Sequence, residues 1–249
     1  MAIAWSATNP SLLAQPESVQ VEDQSAKPGK GGDDSLNLRY VGSWPFGPAD
    51  PVAADSARNL LFLGSGGGVL VLDISDPGAP RCISDVIRTS STVLGLYYDP
   101  VLLRLYIAAQ SEGLGIWDLA EPTRPVRLGG LAWVGVQDVT RAGDLAYLAT
   151  RAGLVIVDVA NPANPMLVGT NDSLGFARSV VVHQGYAYLA ANDPGFVVVD
   201  VQDPARPVEF GRCSTLASGT DVALKESLAF VTSYDGLAAI DVRNPAQPI

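Results

Sequence analysis

Short apolar runs alternate with polar turns along most of the chain, and they recur in register. Five segments share one pattern: apolar residues, an Asp, an apolar residue, a variable residue, then Asp, Asn or Glu followed by Pro, and a second Pro three positions on. These segments are LVLDISDPGAP (70–80), GIWDLAEPTRP (115–125), VIVDVANPANP (155–165), VVVDVQDPARP (197–207) and AAIDVRNPAQP (238–248). Their first Asp falls at positions 73, 118, 158, 200 and 241, at spacings of 45, 40, 42 and 41 residues. Such a period indicates five copies of one structural unit.

Each unit also contains an apolar run with a central aromatic residue, which precedes the shared pattern. These aromatics are Phe62, Tyr106, Tyr147, Tyr188 and Phe230. A turn that usually contains Gly follows this run, an earlier apolar run comes before it, and another run follows the second Pro. Each unit therefore predicts four short strands, and no segment shows helical periodicity.

A four-stranded sheet of this kind cannot bury both of its faces alone, but copies can bury them by packing face to face around an axis. The run LVIVDV (154–159) is continuously apolar, as in a strand that is covered on both faces. We therefore predict an all-β fold, a β-propeller of four-stranded antiparallel blades over residues 36–249. The motif Asp and Pro are expected to fix the turn between third and fourth strands, because Asp bonds nearby backbone N–H groups and Pro ends the ladder.

The two ends of the repeat region complement each other. The segment LRYVGSW (38–44) matches the fourth strand of a unit, whereas the last unit supplies three strands and stops after its second Pro. If 38–44 pairs with the third strand near 236–242, five complete blades form a closed ring. The alternative is that the chain is a fragment of a larger propeller. Residues 1–35 are polar and rich in Gly and Pro after position 15, and we expect a flexible leader that is either the remnant of a signal segment or a plain tail.

The composition of the chain argues against several classes of partner and of functional site. The net charge is −10, and an acidic surface repels phosphate groups, so nucleic acid is not an expected partner. No apolar run is long enough to span a bilayer, which argues against membrane insertion. The chain has two Cys and one His, too few for a zinc centre, and no catalytic motif such as GxSxG is present. We therefore expect a soluble, acidic monomer that is a binding protein rather than an enzyme.

The segments LVIVDVANPANP (154–165) and VVVDVQDPARP (197–207) resemble the LVIVD repeat family of bacterial and archaeal proteins, named for that strand. The resemblance covers about residues 36–249. It implies a β-propeller, usually exported or displayed at the cell surface, with no assigned catalytic residues. The chain departs from the pattern at Trp117 in the second unit and at Ala238-Ala239 in the fifth.

The first strand of each blade should line the central channel, and its start is a candidate ligand site. With the aromatic of the second strand as the register, the channel-mouth positions are Asp50-Pro51, Leu94-Gly95, Gln137-Asp138, Arg178-Ser179 and Thr220-Asp221. Three carboxylates (Asp50, Asp138 and Asp221) and Arg178 converging on an axis are suited to a cation, with calcium as the one cofactor considered, or to a polar ligand. The alternative is that these side chains only solvate a wet channel.

The turns between second and third strands lie on the same face and vary in length and charge. Variable loops on a rigid scaffold often carry binding residues, so Arg151, Asp193, Tyr234 and Asp235 are further candidates. The Asp at the end of each third strand, in contrast, is interpreted as a turn-stabilising residue, because it occurs once per repeat at the same place.

Three functions remain in view. The first is a non-enzymatic binding or structural propeller, extracellular, periplasmic or on the cell surface, whose loops hold a protein or carbohydrate partner. The second is a propeller hydrolase or lyase that uses the channel-mouth carboxylates, with or without calcium. The third is a cytoplasmic scaffold. Convergence of Asp50, Asp138 and Asp221 around one site would favour the second.

Overall fold

The structure is a computed structural model that describes residues 50–193, 195–214 and 217–249. These residues form nineteen strands and no helix. The first sheet contains β1 (Val52–Asp55), β2 (Leu60–Gly64), β3 (Gly68–Asp73) and β4 (Arg81–Arg88). The second contains β5 (Val93–Asp99), β6 (Arg104–Ala109), β7 (Gly113–Asp118) and β8 (Val126–Leu131). The third contains β9 (Val136–Ala142), β10 (Leu145–Thr150), β11 (Gly153–Asp158) and β12 (Met166–Asn171). The fourth contains β13 (Ala177–His183), β14 (Tyr186–Ala191), β15 (Phe196–Asp200) and β16 (Val208–Cys213), and the fifth β17 (Gly219–Lys225), β18 (Leu228–Ser233) and β19 (Gly236–Asp241).

Every sheet is an antiparallel meander in which neighbours in sequence are neighbours in space. The first strands contact one another in succession, β1 with β5, β5 with β9, β9 with β13 and β13 with β17. The sheets are therefore the blades of a β-propeller, with the first strand of each blade innermost, and the predicted fold class is confirmed.

The core lies between the blades rather than within them. Tyr147 and Ile156 of the third blade pack in one buried cluster with Leu189 and Val197 of the fourth. Equivalent clusters join the first blade to the second, the second to the third, and the fourth to the fifth. The continuous apolar pattern of the third strands follows from this packing, since β11 is buried on both faces.

The repeated Asp residues end the third strands and stabilise the turns that follow. Asp158 Oδ1 accepts a hydrogen bond from the backbone N–H of Ala160 at 2.9 Å, and Asn161 Oδ1 accepts one from Ala163 N–H at 3.2 Å. The bond to the N–H two positions on is repeated at Asp73, Asp118, Asp200 and Asp241. The interpretation of this column as a turn device is therefore confirmed.

A glycine in the fourth strand lets the second, third and fourth blades each approach the turn of the next blade. A Cβ on Gly169 would lie 2.3 Å from the carbonyl oxygen of Pro204. Gly129 faces Pro162 and Gly211 faces Pro245 in the same way, each with a distance of 2.2 Å. No side chain fits at these separations, so the glycine and the Pro of the next unit form one inter-blade contact.

The outer edge of β19 is where a fourth strand of the fifth blade would lie. Ile249 and Asp241 exchange two backbone hydrogen bonds. The N–H of Ile249 donates to the carbonyl oxygen of Asp241 at 3.2 Å, and the N–H of Asp241 donates to the carbonyl oxygen of Ile249 at 2.6 Å. This is the register of the first fourth-strand residue in other blades, for example Met166 opposite Asp158. The segment 38–44, predicted to complete this edge, lies outside the described residues, as does the predicted leader, so closure by that strand stays a prediction. In the part of the chain that the structure describes, no helix has the length and apolar character needed to cross a membrane.

Candidate ligand-binding cavity

A β-bulge occurs near the start of four innermost strands and re-aims one side chain of each. In β13, Ala177 pairs with Ala191 and Ser179 with Ala190, so Arg178 between them has no partner on β14. Leu94, Gln137 and Thr220 are the extra residues of the corresponding bulges in β5, β9 and β17. Because a bulged residue leaves the strict alternation of the strand, it can point along the channel axis instead of into a blade.

A cavity of about 430 Å³ lies among the starts of the innermost strands of all five blades. It is lined by Asp50, Pro51, Val52, Leu94, Gly95, Leu96, Asp138, Arg178, Ser179, Thr220 and Asp221. Its volume is within the roughly 300–1,000 Å³ of ordinary small-molecule sites. The structure thus brings together four of the eight predicted site residues, namely Asp50, Asp138, Arg178 and Asp221. Gln137 does not line it, because its amide is turned back to the carbonyls of Gly135 and Val136, at 3.2 Å each.

Asp138 and Asp221, from two blades, share one hydroxyl group on the blade between them. Ser179 Oγ lies 2.7 Å from Asp221 Oδ1 and 3.1 Å from Asp138 Oδ2. Asp138 also accepts backbone hydrogen bonds from Val139 at 2.8 Å and Val180 at 3.0 Å. The pKa of Asp138 is raised to about 6, mainly because burial disfavours its charged form; the charge of Asp221 adds to the rise, and these hydrogen bonds oppose it.

The number of protons available at the Ser179 hydroxyl also favours a raised pKa for Asp138. A hydroxyl carries one proton and can donate to only one of two carboxylates. When Ser179 donates to Asp221, its contact with Asp138 is favourable only if Asp138 keeps a proton on Oδ2 and donates it to Ser179 Oγ. Geometry and burial therefore both favour a raised pKa for Asp138.

Gly95 closes the other side of this carboxyl group. A Cβ at Gly95 would lie 2.5 Å from Asp138 Oδ1 and 2.7 Å from Asp138 Cα, so only glycine permits β5 to pass this close to β9. The close approach removes water from the carboxyl group and explains how a group that lines a cavity can still be strongly desolvated.

Arg178 is held at the rim by one hydrogen bond and two rings. Its Nε donates to Asn192 Oδ1 at 2.8 Å, and its guanidinium carbon lies 4.8 Å from the ring centre of Phe176 and 5.8 Å from that of Tyr234. Arg151 approaches the same Phe176 ring at 5.9 Å. Phe176 and Arg178 are half-buried, whereas Tyr234 is 74% exposed.

The remaining candidates lie on turns outside the cavity lining. Arg151, Asp193 and Asp235 are exposed, and Arg151 and Tyr234 reach the rim only through the ring contacts of Arg178 and Phe176. Sequence reasoning placed Ser179 at the channel mouth without proposing it as a ligand contact, and it singled out neither Phe176 nor Asn192. A signal existed for Ser179, since it occupies the repeat position of Asp138 and Asp221. Within the described ranges, no group of three or more His, Cys, Asp or Glu side chains is placed to hold a metal ion.

The opposite ends of the innermost strands carry ion pairs that join blades. Tyr98 of β5 donates its hydroxyl proton to Asp55 Oδ2 at 2.7 Å, and Arg58 contacts the same oxygen through Nε at 2.6 Å. Burial would raise the pKa of Asp55, but the hydrogen bonds from Tyr98 and Arg58 outweigh it and keep that pKa below its usual value. Arg141 of β9 pairs with Asp99 at the end of β5. These contacts tie the first three blades together and leave the polar cavity at the other end as the candidate site.

Comparison with known proteins places the chain in one class and one family. The fold and the polar mouth define a β-propeller scaffold. The family model of the LVIVD repeat matches residues 59–86, 135–173, 174–215 and 218–249, and the chain belongs to this family. The match leaves out the second unit, in which Trp117 interrupts the apolar strand. The resemblance seen in the sequence is therefore confirmed.

Two solved structures of similar fold are distant in sequence. The computationally designed Ika8 protein has a TM-score of 0.60 at 11% identity, over 79% of this chain, which spans 59% of the length of that chain. A chain of the nidogen–laminin complex has a TM-score of 0.57 at 14% identity, over 78% of this chain and 75% of that one. Similarity at these identities extends to the fold alone. No match was found among the curated proteins.

Proposed function

We propose that this protein is a non-enzymatic binding propeller that works outside the cytoplasm or on the cell surface, and that its channel mouth holds a protein or carbohydrate partner. One observation carries the proposal: the innermost strands of five blades contribute unlike side chains to one polar cavity. A purely structural repeat would place equivalent residues there, as it does in the turns after the third strands.

The chemistry of the cavity supports a polar partner. The carboxyl oxygens of Asp50 and Asp221 accept hydrogen bonds and need donors, which hydroxyl, amide or ammonium groups supply. Arg178 adds five N–H donors in a fixed plane, of which Nε is used internally. A partner that presents both donors and an acceptor at one end therefore matches this mouth better than an apolar ligand does.

The test is a screen that separates binding at the mouth from binding elsewhere. The wild-type chain is applied to an array of neutral and acidic oligosaccharides and to a library of displayed peptides, and positives are measured by calorimetry with and without Ca²⁺. Asp50→Asn and Arg178→Lys are the mouth variants, since both keep side-chain size. Asp158→Asn, at a turn of the third blade outside the cavity, is the matched control. Absence of any ligand whose binding depends on the mouth residues would overturn the proposal.

A hydrolase or lyase is the second candidate, and one observation favours it. Asp138 with a pKa of about 6 and Asp221 line the same cavity, and such a pair can act as general acid and base. Against this, both oxygens of Asp138 already bond protein groups, Oδ1 with the N–H of Val139 and Oδ2 with Ser179 and the N–H of Val180. Release of reducing sugar from any oligosaccharide of the array, lost in Asp138→Asn, would favour the enzyme over the binding protein.

Export is tested separately with a tagged full-length chain. We expect it in the periplasmic, surface or medium fraction of the native host. Recovery only from the cytoplasm would contradict this part of the proposal and favour an intracellular scaffold.

A further inference from the structure

Arg178 and Arg151 differ from most arginines of this acidic protein. Seven arginines form ion pairs with carboxylates: Arg58, Arg81, Arg88, Arg127, Arg141, Arg212 and Arg243. Arg178 and Arg151 form none with any residue in the described ranges, and neither do Arg104, Arg124 and Arg206. Of these five, only Arg178 lines the cavity, which it shares with Asp50, Asp138 and Asp221. In a chain with 26 acidic residues, a cation without a carboxylate at a cavity rim suggests that its partner comes from outside.

The guanidinium of Arg178 is also preorganised. The bond from Nε to Asn192 fixes one edge, and the ring centres of Phe176 and Tyr234 lie 4.8 and 5.8 Å from the guanidinium carbon. Within the described residues, Nη1 and Nη2 make no hydrogen bond. These two nitrogens form the edge that binds a carboxylate through two parallel hydrogen bonds, and fixing the plane beforehand lowers the entropy cost of binding.

The rest of the cavity sets the kind of molecule that carries this carboxylate. Asp50, Asp221 and Thr220 line the same cavity and present acceptors or hydroxyls, so the ligand must bring several hydrogen-bond donors close to its carboxylate. Tyr234, 74% exposed, offers a ring face at the rim for a ligand's apolar side. A compact ring that bears hydroxyls and one carboxylate, which is a uronic acid, meets all three requirements within about 430 Å³.

We infer that the channel mouth binds a uronic acid residue of an acidic saccharide, with its carboxylate on Arg178 and its hydroxyls on Asp50, Thr220 and Asp221. Arg151, whose guanidinium carbon lies 5.9 Å from the centre of the Phe176 ring, supplies a second and weaker positive charge. This inference rests on the proposed binding function and names the ligand class for the same site.

The experiment uses two small probes that differ in one group. Methyl glucuronide and methyl glucoside carry the same ring hydroxyls, and only the first has a carboxylate. Binding of each to the full-length chain is measured by calorimetry and by saturation-transfer NMR at low and at physiological salt. An Asp- and Glu-rich peptide is the third probe and represents a carboxylate without a sugar ring.

We expect the glucuronide to bind at least about tenfold more tightly than the glucoside, a difference of about 1.4 kcal/mol. Arg178→Gln should abolish that preference, and Arg178→Lys should retain only part of it, because an ammonium cannot form two parallel bonds. Arg151→Gln should reduce the preference for the glucuronide less than the Arg178 variants do, and its effect should be larger at low salt than at physiological salt. Arg206→Gln, at an exposed turn of the fourth blade, is the matched control and should leave binding unchanged.

Each other outcome overturns the inference in a recognisable way. Equal affinity for both sugars, unchanged in Arg178→Gln, would refute the role of Arg178 and leave the binding function standing. Binding of the peptide but of neither sugar would replace the saccharide by a protein partner. If no probe binds and the wider screen also finds no ligand that depends on the mouth, both the inference and the proposed function are wrong. Folding of the Arg178 variants is checked by their unfolding midpoints, with Arg178→Lys as the variant that keeps the ring contacts.

Discussion

The desolvated carboxyl group of Asp138 should make the stability of the domain fall as the pH rises from about 4 to about 7. Its pKa is about 6 in the folded protein and near 3.8 when exposed in the unfolded chain. The folded state therefore binds the proton more tightly, and the unfolded state has fewer protons bound in this window, which gives a negative slope of unfolding free energy against pH. Two pKa units at 1.36 kcal/mol each give about 3 kcal/mol, fully present below pH 4 and lost above about pH 7.

Other carboxyl groups act in a different window, so the effect can be isolated. The pKa values of Asp73 and Asp241 are lowered by hydrogen bonds to Ser75 and Arg243 respectively, and their contributions are present above about pH 4 and lost below it. Asp138→Asn removes the titration of Asp138 alone. It also lowers stability by a constant amount, because an amide has one acceptor oxygen for the two backbone N–H groups of Val139 and Val180.

The assay is urea unfolding followed by tryptophan fluorescence at several pH values between about 4 and about 8. The difference in unfolding free energy between wild type and Asp138→Asn should shrink by about 3 kcal/mol over this range. Asp158→Asn, in the same blade, should keep the wild-type slope because it leaves Asp138 untouched. A difference between wild type and Asp138→Asn that stays constant to within about 0.5 kcal/mol would refute the burial and proton-sharing argument.

Three further predictions concern the contacts that hold the blades together. Gly169→Ala should cost about 1–3 kcal/mol of unfolding free energy, because its Cβ would meet a backbone oxygen at 2.3 Å. Gly115→Ala, whose Cβ would have no contact under 3.6 Å, is the control and should be tolerated. Equal urea midpoints for the two variants would contradict the role of Gly169. Tyr98→Phe should cost about 1–3 kcal/mol by leaving Asp55, 3% exposed, without one of its donors. In the wild type, burial raises the pKa of Tyr98 to about 12, so an absorbance titration should detect its phenolate only near that pH. Deleting residues 36–46 should lower the melting temperature strongly and deleting the first 30 residues should not; an unchanged melting temperature for the first deletion would exclude closure by that strand.

Much of the fold was determined by the sequence itself, because its signals are local. The Asp at the end of each third strand bonds an N–H only two positions on, so its role follows from spacing alone. The apolar third strands and the five-fold period predict blades that pack face to face, since such sheets have no other way to bury both surfaces. The same register also predicted which residues of the innermost strands lie at the mouth, and Asp50, Asp138, Arg178 and Asp221 do line one cavity.

What only the tertiary structure decided is how those side chains meet. Ser179 contacts carboxylates that lie 41 and 42 residues away, and whether it reaches them depends on bulges and on the glycine at position 95, neither of which apolar periodicity reveals. The bulge in β13 also frees Arg178 from the strand alternation and presents it to Phe176 and Tyr234. Contacts between blades require segments that are distant in the sequence to be spaced correctly to within a few tenths of an ångström. A sequence pattern specifies only which face of a strand each residue occupies.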